Sequence, residues 1–186
     1  MGFLDFVKGL FSDDDDAGDE DQQARDRMAD DRADPRKLFV FGVLCCTEDI
    51  DPGYRQEYAK VALADWYSIE SGQEILEMGQ DYFAAREYPA YNIFRLCFVA
   101  RAGYGAGMLD EAASWGVCFR HCSELHRTYS SWQAFAQGYV DGHVSYRRHC
   151  GDDEATVAGY RDRAQARMQQ ALNGWWAQIP WNTRLG

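Results

Sequence analysis

The chain has 186 residues, 46% of them apolar and 15% aromatic, and a formal net charge of −11. That length predicts a single domain, and a body of ~150 residues buries roughly 70% of its unfolded surface, so neither disulfide nor metal is needed to fold it. Residues 1–36 hold twelve acidic and five basic side chains, so the rest of the chain is only mildly acidic. Such a balance argues against nucleic acid and anionic lipid, which reward clustered Lys and Arg; it is compatible with a basic protein partner and equally with a merely solvated acidic tail. No run of ~20 apolar residues predicts a transmembrane segment, and the first residues lack the pattern of a secretory signal. The six cysteines are therefore expected as reduced thiols of a cytoplasmic protein.

In chain order, Phe3, Leu4, Phe6, Val7, Leu10 and Phe11 share one helical face. Eleven residues are too few for a stable isolated helix, so this stretch reads as a docking peptide that needs a surface to lie on. The Asp13–Asp16 run and the polar residues up to Asp34 have the composition of a disordered tether. The expected organisation is a peptide plus tether over residues 1–34 and a helical domain over 35–186.

Asp34-Pro35 is a helix-start pair. The run from Leu38 to Cys46 is apolar on every side and predicts a fully buried element, helix before strand. Asp51-Pro52 repeats the start signal, with Tyr54, Tyr58, Val61 and Leu63 on a helix face leading to Trp66. Ser71 and Glu74 form a capping box for a helix carrying Ile75, Leu76 and Gly79, which Pro89 stops. A helix over 91–101 follows, then a turn through Gly103, Gly105 and Gly107. Asp110 caps a helix over 111–129, and Ser130 or Ser131 caps another carrying Trp132, Phe135 and Tyr139. Asp152 or Asp153 opens a polar helix to about Leu172, and Trp175, Trp176, Ile179, Pro180 and Trp181 close the chain by packing on the body. The predicted fold class is all-α, a single compact domain of six to eight helices.

Chemistry-bearing residues are few in pattern. Cys118, Cys122 and His126 lie at i, i+4 and i+8 along one helix face, and Cys and His are zinc ligands. Spread over ~12 Å of helix rise, the three cannot all reach one ion. A buried thiol face is the better reading, with a metal-binding helical domain as an alternative, and no cofactor is expected. The glycines at 103–107 match neither a P-loop nor a dinucleotide fingerprint. Arg95, on the otherwise apolar stretch from Ile93 to Phe98, must either snorkel or pair with a buried carboxylate such as Asp65 or Asp110. Six tryptophans each bury a large area and want a partner for the indole N–H.

Several of these residues carry a family pattern. Asn92-x2-Arg95, Gly103-x3-Gly107, Asp110-Glu111-x3-Trp115, Tyr129-Ser130-Ser131-Trp132-x2-Phe135 and Tyr139-x2-Gly142 follow in that order. Together with Trp66, Ile69 and Ser71 upstream and Ile179-Pro180-Trp181 downstream, they resemble the bacterial domain-of-unknown-function 1266 family over about residues 38–183. The chain departs from that pattern at Asn92, where an acid is expected before Arg95. The resemblance implies a helical cytoplasmic protein of unassigned activity and brings no catalytic residues with it.

The leading functional expectation is a non-enzymatic protein-interaction module, an immunity-type or regulatory partner. Arg95, Asp110, Ser131, Trp132 and Trp181 are the expected binding residues. The alternative from another class is a hydrolase or effector domain with a cleft near Arg95, Asp110 and Ser131.

Overall fold

The computed structural model describes residues 15–44, 51–84 and 87–186. The docking peptide expected at Phe3 to Phe11 lies outside them. Among the described residues the fold is all-α: α1 (Asp15–Asp31), α2 (Pro35–Leu44), α3 (Gln56–Val61), α4 (Gly72–Ala84), α5 (Pro89–Gly105), α6 (Glu111–Thr128), α7 (Trp132–His149) and α8 (Glu154–Asn173). Short 3-10 turns at Pro52–Tyr54 and Trp175–Gln178 and a π turn at Ala62–Tyr67 complete the path.

The starts of these helices follow from short-range chemistry. Asp34 accepts the Arg36 N–H ahead of α2. Ser71 and Glu74 exchange the two hydrogen bonds of a capping box. Asp110, Ser131 and Asp153 each accept the backbone N–H three residues on, opening α6, α7 and α8. Each such cap satisfies a donor that the first helical turn leaves without an intrahelical acceptor.

Helix α5 is the central strut. It packs against α2, α3, α4, α6, α7 and the 52–54 turn, and twelve of its seventeen residues are buried. An amphipathic helix has one face to hide; α5 is apolar nearly all round, so it is stable only when surrounded. Helix α2, whose residues from Phe39 to Leu44 are all buried, is its second layer. Helix α7 lies between α5 and α8.

Two features differ from the sequence expectation. The α5 helix does not stop at Arg101 but runs through Gly103 to Gly105. Those two glycines are packing sites: a Cβ on Gly103 would meet Ile75 at 2.4 Å, and one on Gly105 would meet the Pro52 carbonyl at 2.5 Å. Only Gly107, with φ +77°, makes the turn. The second difference is α1, where a tether was expected. Ala24 and Met28, one helical turn apart, are buried in the core, and the polar residues around them are anchors rather than spacers, as described next.

Candidate functional site

Arg101, one turn before the end of α5, lies in the interior, where it is the largest fully buried side chain among the described residues. Its Nε–H lies 3.0 and 3.1 Å from the two carboxylate oxygens of Asp51. Its Nη1 donates to Ser114 Oγ at 3.3 Å, and Ser114 in turn donates to the Ala100 carbonyl at 2.9 Å. The guanidinium also lies over the Trp115 ring, 3.7 Å from its centroid, with Tyr54 and Tyr104 at 5.3 and 5.1 Å. Asp51 caps the 52–54 turn through the Gly53 N–H at 2.7 Å. Burial pushes the Asp51 carboxyl up, and the Arg101 charge and the Gly53 N–H oppose that rise. For Arg101, burial works against the charge, yet Asp51 and its other neighbours outweigh it and raise the guanidinium.

Gly53 and Gly105 make this arrangement possible. A Cβ on Gly53 would stand 2.5 Å from Arg101 Nη2, and one on Gly105 would be 3.3 Å from the Gly53 Cα. Only glycine lets the 52–54 turn settle onto both the guanidinium and α5.

Helix α1 closes over this assembly. Tyr54 donates its hydroxyl hydrogen to Asp31, and burial followed by that bond pushes the Tyr54 phenol up. Lys37 bridges Asp31 at 2.7 Å and Glu111 at 3.2 Å, and Glu111 accepts from the Trp115 indole. Arg27 donates to the Tyr104 hydroxyl at 3.2 Å and lies 5.6 Å from the Tyr54 ring centroid. Between α1, the turn and the end of α5 lies an open pocket of about 280 Å³. Gln23, Arg27, Tyr54, Gln56 and Tyr104 supply its hydrogen-bonding groups. Arg101 and Asp51 sit behind its glycine floor.

The residues singled out from sequence fall elsewhere. Asp110 and Ser131 spend their side chains on capping two different helices. Trp132 and Trp181 do come together, ring centroids 4.9 Å apart, around Phe39 and Phe135. Their indoles donate to the carbonyls of Ile179 and Tyr129, so both are stitches between the chain's end and its body. Arg95 is half-buried and lies over Tyr146 at 4.5 Å, Tyr67 at 5.3 Å and Tyr91 at 5.8 Å.

Cys118 and Cys122 are fully buried, but their neighbour is Cys97, whose sulfur is 3.6 Å from that of Cys122. Burial pushes the Cys118 thiol well up. His126 points instead into the rings of Phe39 and Trp181, at 4.9 and 5.5 Å. Among the described residues no three or more His, Cys, Asp or Glu side chains are grouped to hold a metal ion, and no helix is long and apolar enough to cross a membrane.

Fold and site together define an all-helical domain built round a buried arginine–aspartate pair. The chain belongs to the DUF1266 family, proteins of unknown function, whose family model matches residues 3–181. That match begins well before residue 38, so the N-terminal stretch set apart in the sequence analysis is part of the family pattern. No curated protein and no solved structure gives a significant match.

Proposed function

We propose that this chain is a non-enzymatic interaction module of the cytoplasm, with the α1 seam as the contact for a protein partner. The observation that supports it is the pocket at that seam, whose lining offers amides, phenols and one guanidinium for recognition. Hydrogen bonds from groups of that kind are the polar contacts typical of a protein interface. Beside the pocket, Gln22, Arg25, Asp26, Ala29 and Asp30 of α1 are exposed, and the helix as a whole is strongly acidic. A basic partner surface is the electrostatic complement.

A photo-crosslinking residue at Gln23 or Gln56, introduced into the full chain in its native cells, tests this reading. A discrete crosslinked protein is expected, lost on Asp26→Lys with Asp30→Lys in a chain that still folds. Crosslinks that are diffuse, or indifferent to the charge reversal, overturn it.

A further inference from the structure

Two guanidiniums meet at the seam pocket through the same pair of rings. Arg27, on α1, donates to the Tyr104 hydroxyl at 3.2 Å and lies 5.6 Å from the Tyr54 centroid. Arg101, on α5, lies 5.1 Å from the Tyr104 centroid and 5.3 Å from that of Tyr54. Both tyrosines line the pocket, together with Arg27 itself and the glycines of its floor, Gly53 and Gly105. The rings thus fix one exposed guanidinium beside the pocket and one buried guanidinium behind it.

The neighbouring carboxylates are engaged elsewhere. Asp51 accepts from Arg101 and from the Gly53 N–H. Asp31 accepts from Tyr54 and Lys37, and Asp26 accepts from Gln22. Arg27 has the Tyr104 hydroxyl as its hydrogen-bond partner and no carboxylate among the described residues.

Arg101 also keeps something in reserve. Its Nε takes both Asp51 oxygens and its Nη1 takes Ser114. Its Nη2 is buried with no hydrogen-bond partner among the described residues. That nitrogen stands against Gly53, where a Cβ would be only 2.5 Å away. A buried donor left unanswered is costly and rare, and it calls for an explanation. Gly53 both adjoins Nη2 and lines the pocket, so the unspent side of this guanidinium faces the floor on which a ligand would rest.

We propose that the seam pocket binds a carboxylate, paired with Arg27 and the Tyr104 hydroxyl and lying over Gly53 towards the Arg101 Nη2. A guanidinium fork matches the two oxygens of a planar carboxylate, and the Tyr104 hydroxyl, which accepts from Arg27, still has its own hydrogen to donate. The side-chain amides of Gln23 and Gln56 flank the pocket and suit an amino or amide group next to that carboxylate. A phosphate, with up to two charges, would meet a single accessible cation beside the acidic face of α1. The pocket's volume of about 280 Å³ admits a free amino-acid-like acid or the last residue of a protein chain. This goes beyond the protein-contact reading, since crosslinking at Gln23 can succeed where carboxylate binding fails.

The test is an NMR titration of the full, isotope-labelled chain at pH 7 and low ionic strength. The probes are glutamate, N-acetyl-diglycine with a free carboxylate, and the same N-acetyl-diglycine as its terminal amide. Saturable shifts of the Gly53 and Gly105 amides and of the Arg27 Nε–H are expected with at least one free carboxylate, and none with the amide. A response to glutamate alone assigns a free acid, and a response to N-acetyl-diglycine assigns a chain end. Arg27→Gln alters an exposed side chain and is expected to weaken binding at least fivefold. Arg161→Gln, at an exposed arginine of α8 beside Asp162, is expected to leave it unchanged. No saturable shift with either carboxylate at tens of millimolar overturns the proposal. So does an equal response to the amide, and so does equal weakening by the two variants, which would mark diffuse charge attraction.

Discussion

Arg95 and Arg101 stand six residues apart on the same helix, and their surroundings could hardly differ more. Arg101 is fully enclosed, and its charge is answered by a carboxylate, a serine hydroxyl and an indole face. Arg95 keeps part of its side chain in solvent and is held by three phenol rings. Taking a charge fully out of water demands an opposite charge and good hydrogen bonds. A partly wet guanidinium needs only a ring face to lie on. The first arrangement answers the charge inside the fold, and the second spreads it over ring faces at the edge of solvent.

The largest expected effect breaks the enclosed arrangement. Arg101→Met leaves Asp51 buried without its counter-charge and is expected to cost ~3–5 kcal/mol, read as a shift of the urea midpoint. Adding Asp51→Leu is expected to restore a large part of that loss, because the stranded charge is then gone. A double variant no more stable than the single one would mean that shape, not charge, holds the site.

Next comes acid. His143 is lowered from its ordinary 6.5 to about 4 in the fold, so between those values the unfolded chain binds a proton that the folded chain refuses. Stability from this group is complete above pH 6.5 and declines as pH falls towards 4, by up to ~3 kcal/mol. Burial lowers His121 and His126 as well, and both act with the same sign. Denaturation midpoints measured across that window are expected to fall steeply for the native chain and less steeply for His143→Gln. Equal slopes would place the titration elsewhere.

Gly105→Ala forces a methyl group against the Pro52 carbonyl and is expected to cost ~1–3 kcal/mol by displacing the 52–54 turn. Arg95→Ala closes the series. It gives up cation–π contacts worth ~1 kcal/mol at a half-wet site, and its thermal midpoint is expected to sit nearest the native one.

The helix starts were legible because capping is local: the aspartates, Ser71 with Glu74, and Ser131 each act within four residues. Arg101 was hidden by the glycines that follow it. Read as turn formers they end α5 too soon, whereas their missing side chains serve contacts with Ile75 and Pro52, residues remote in the chain. Helix α1 was hidden for a related reason. Two buried apolar residues make no visible stripe, and its anchors, Arg27 and Asp31, find their partners at Tyr104 and Tyr54. The rings around Arg95 come from the 62–67 turn, α5 and α7, so no window of sequence contains them. That the indoles want partners for their N–H groups was legible, but the carbonyls that Trp132, Trp176 and Trp181 reach depend on how the chain returns.

That return has a consequence for how the protein is made. Trp176 closes on the carbonyl of Gly42, 134 residues earlier, and Leu185 is buried in the same core. At ~5–20 residues per second, the ribosome releases α2 roughly 7–27 s before its last contacts exist. During that interval a segment greasy on every side can pack on α5 and α6 but lacks the cover of the chain's end, which makes the nascent chain a natural client for holding chaperones. A stop codon only a dozen positions early would strip α2 of the cover that Trp176 and Ile179 give it at Gly42, while leaving its packing on α5 and α6.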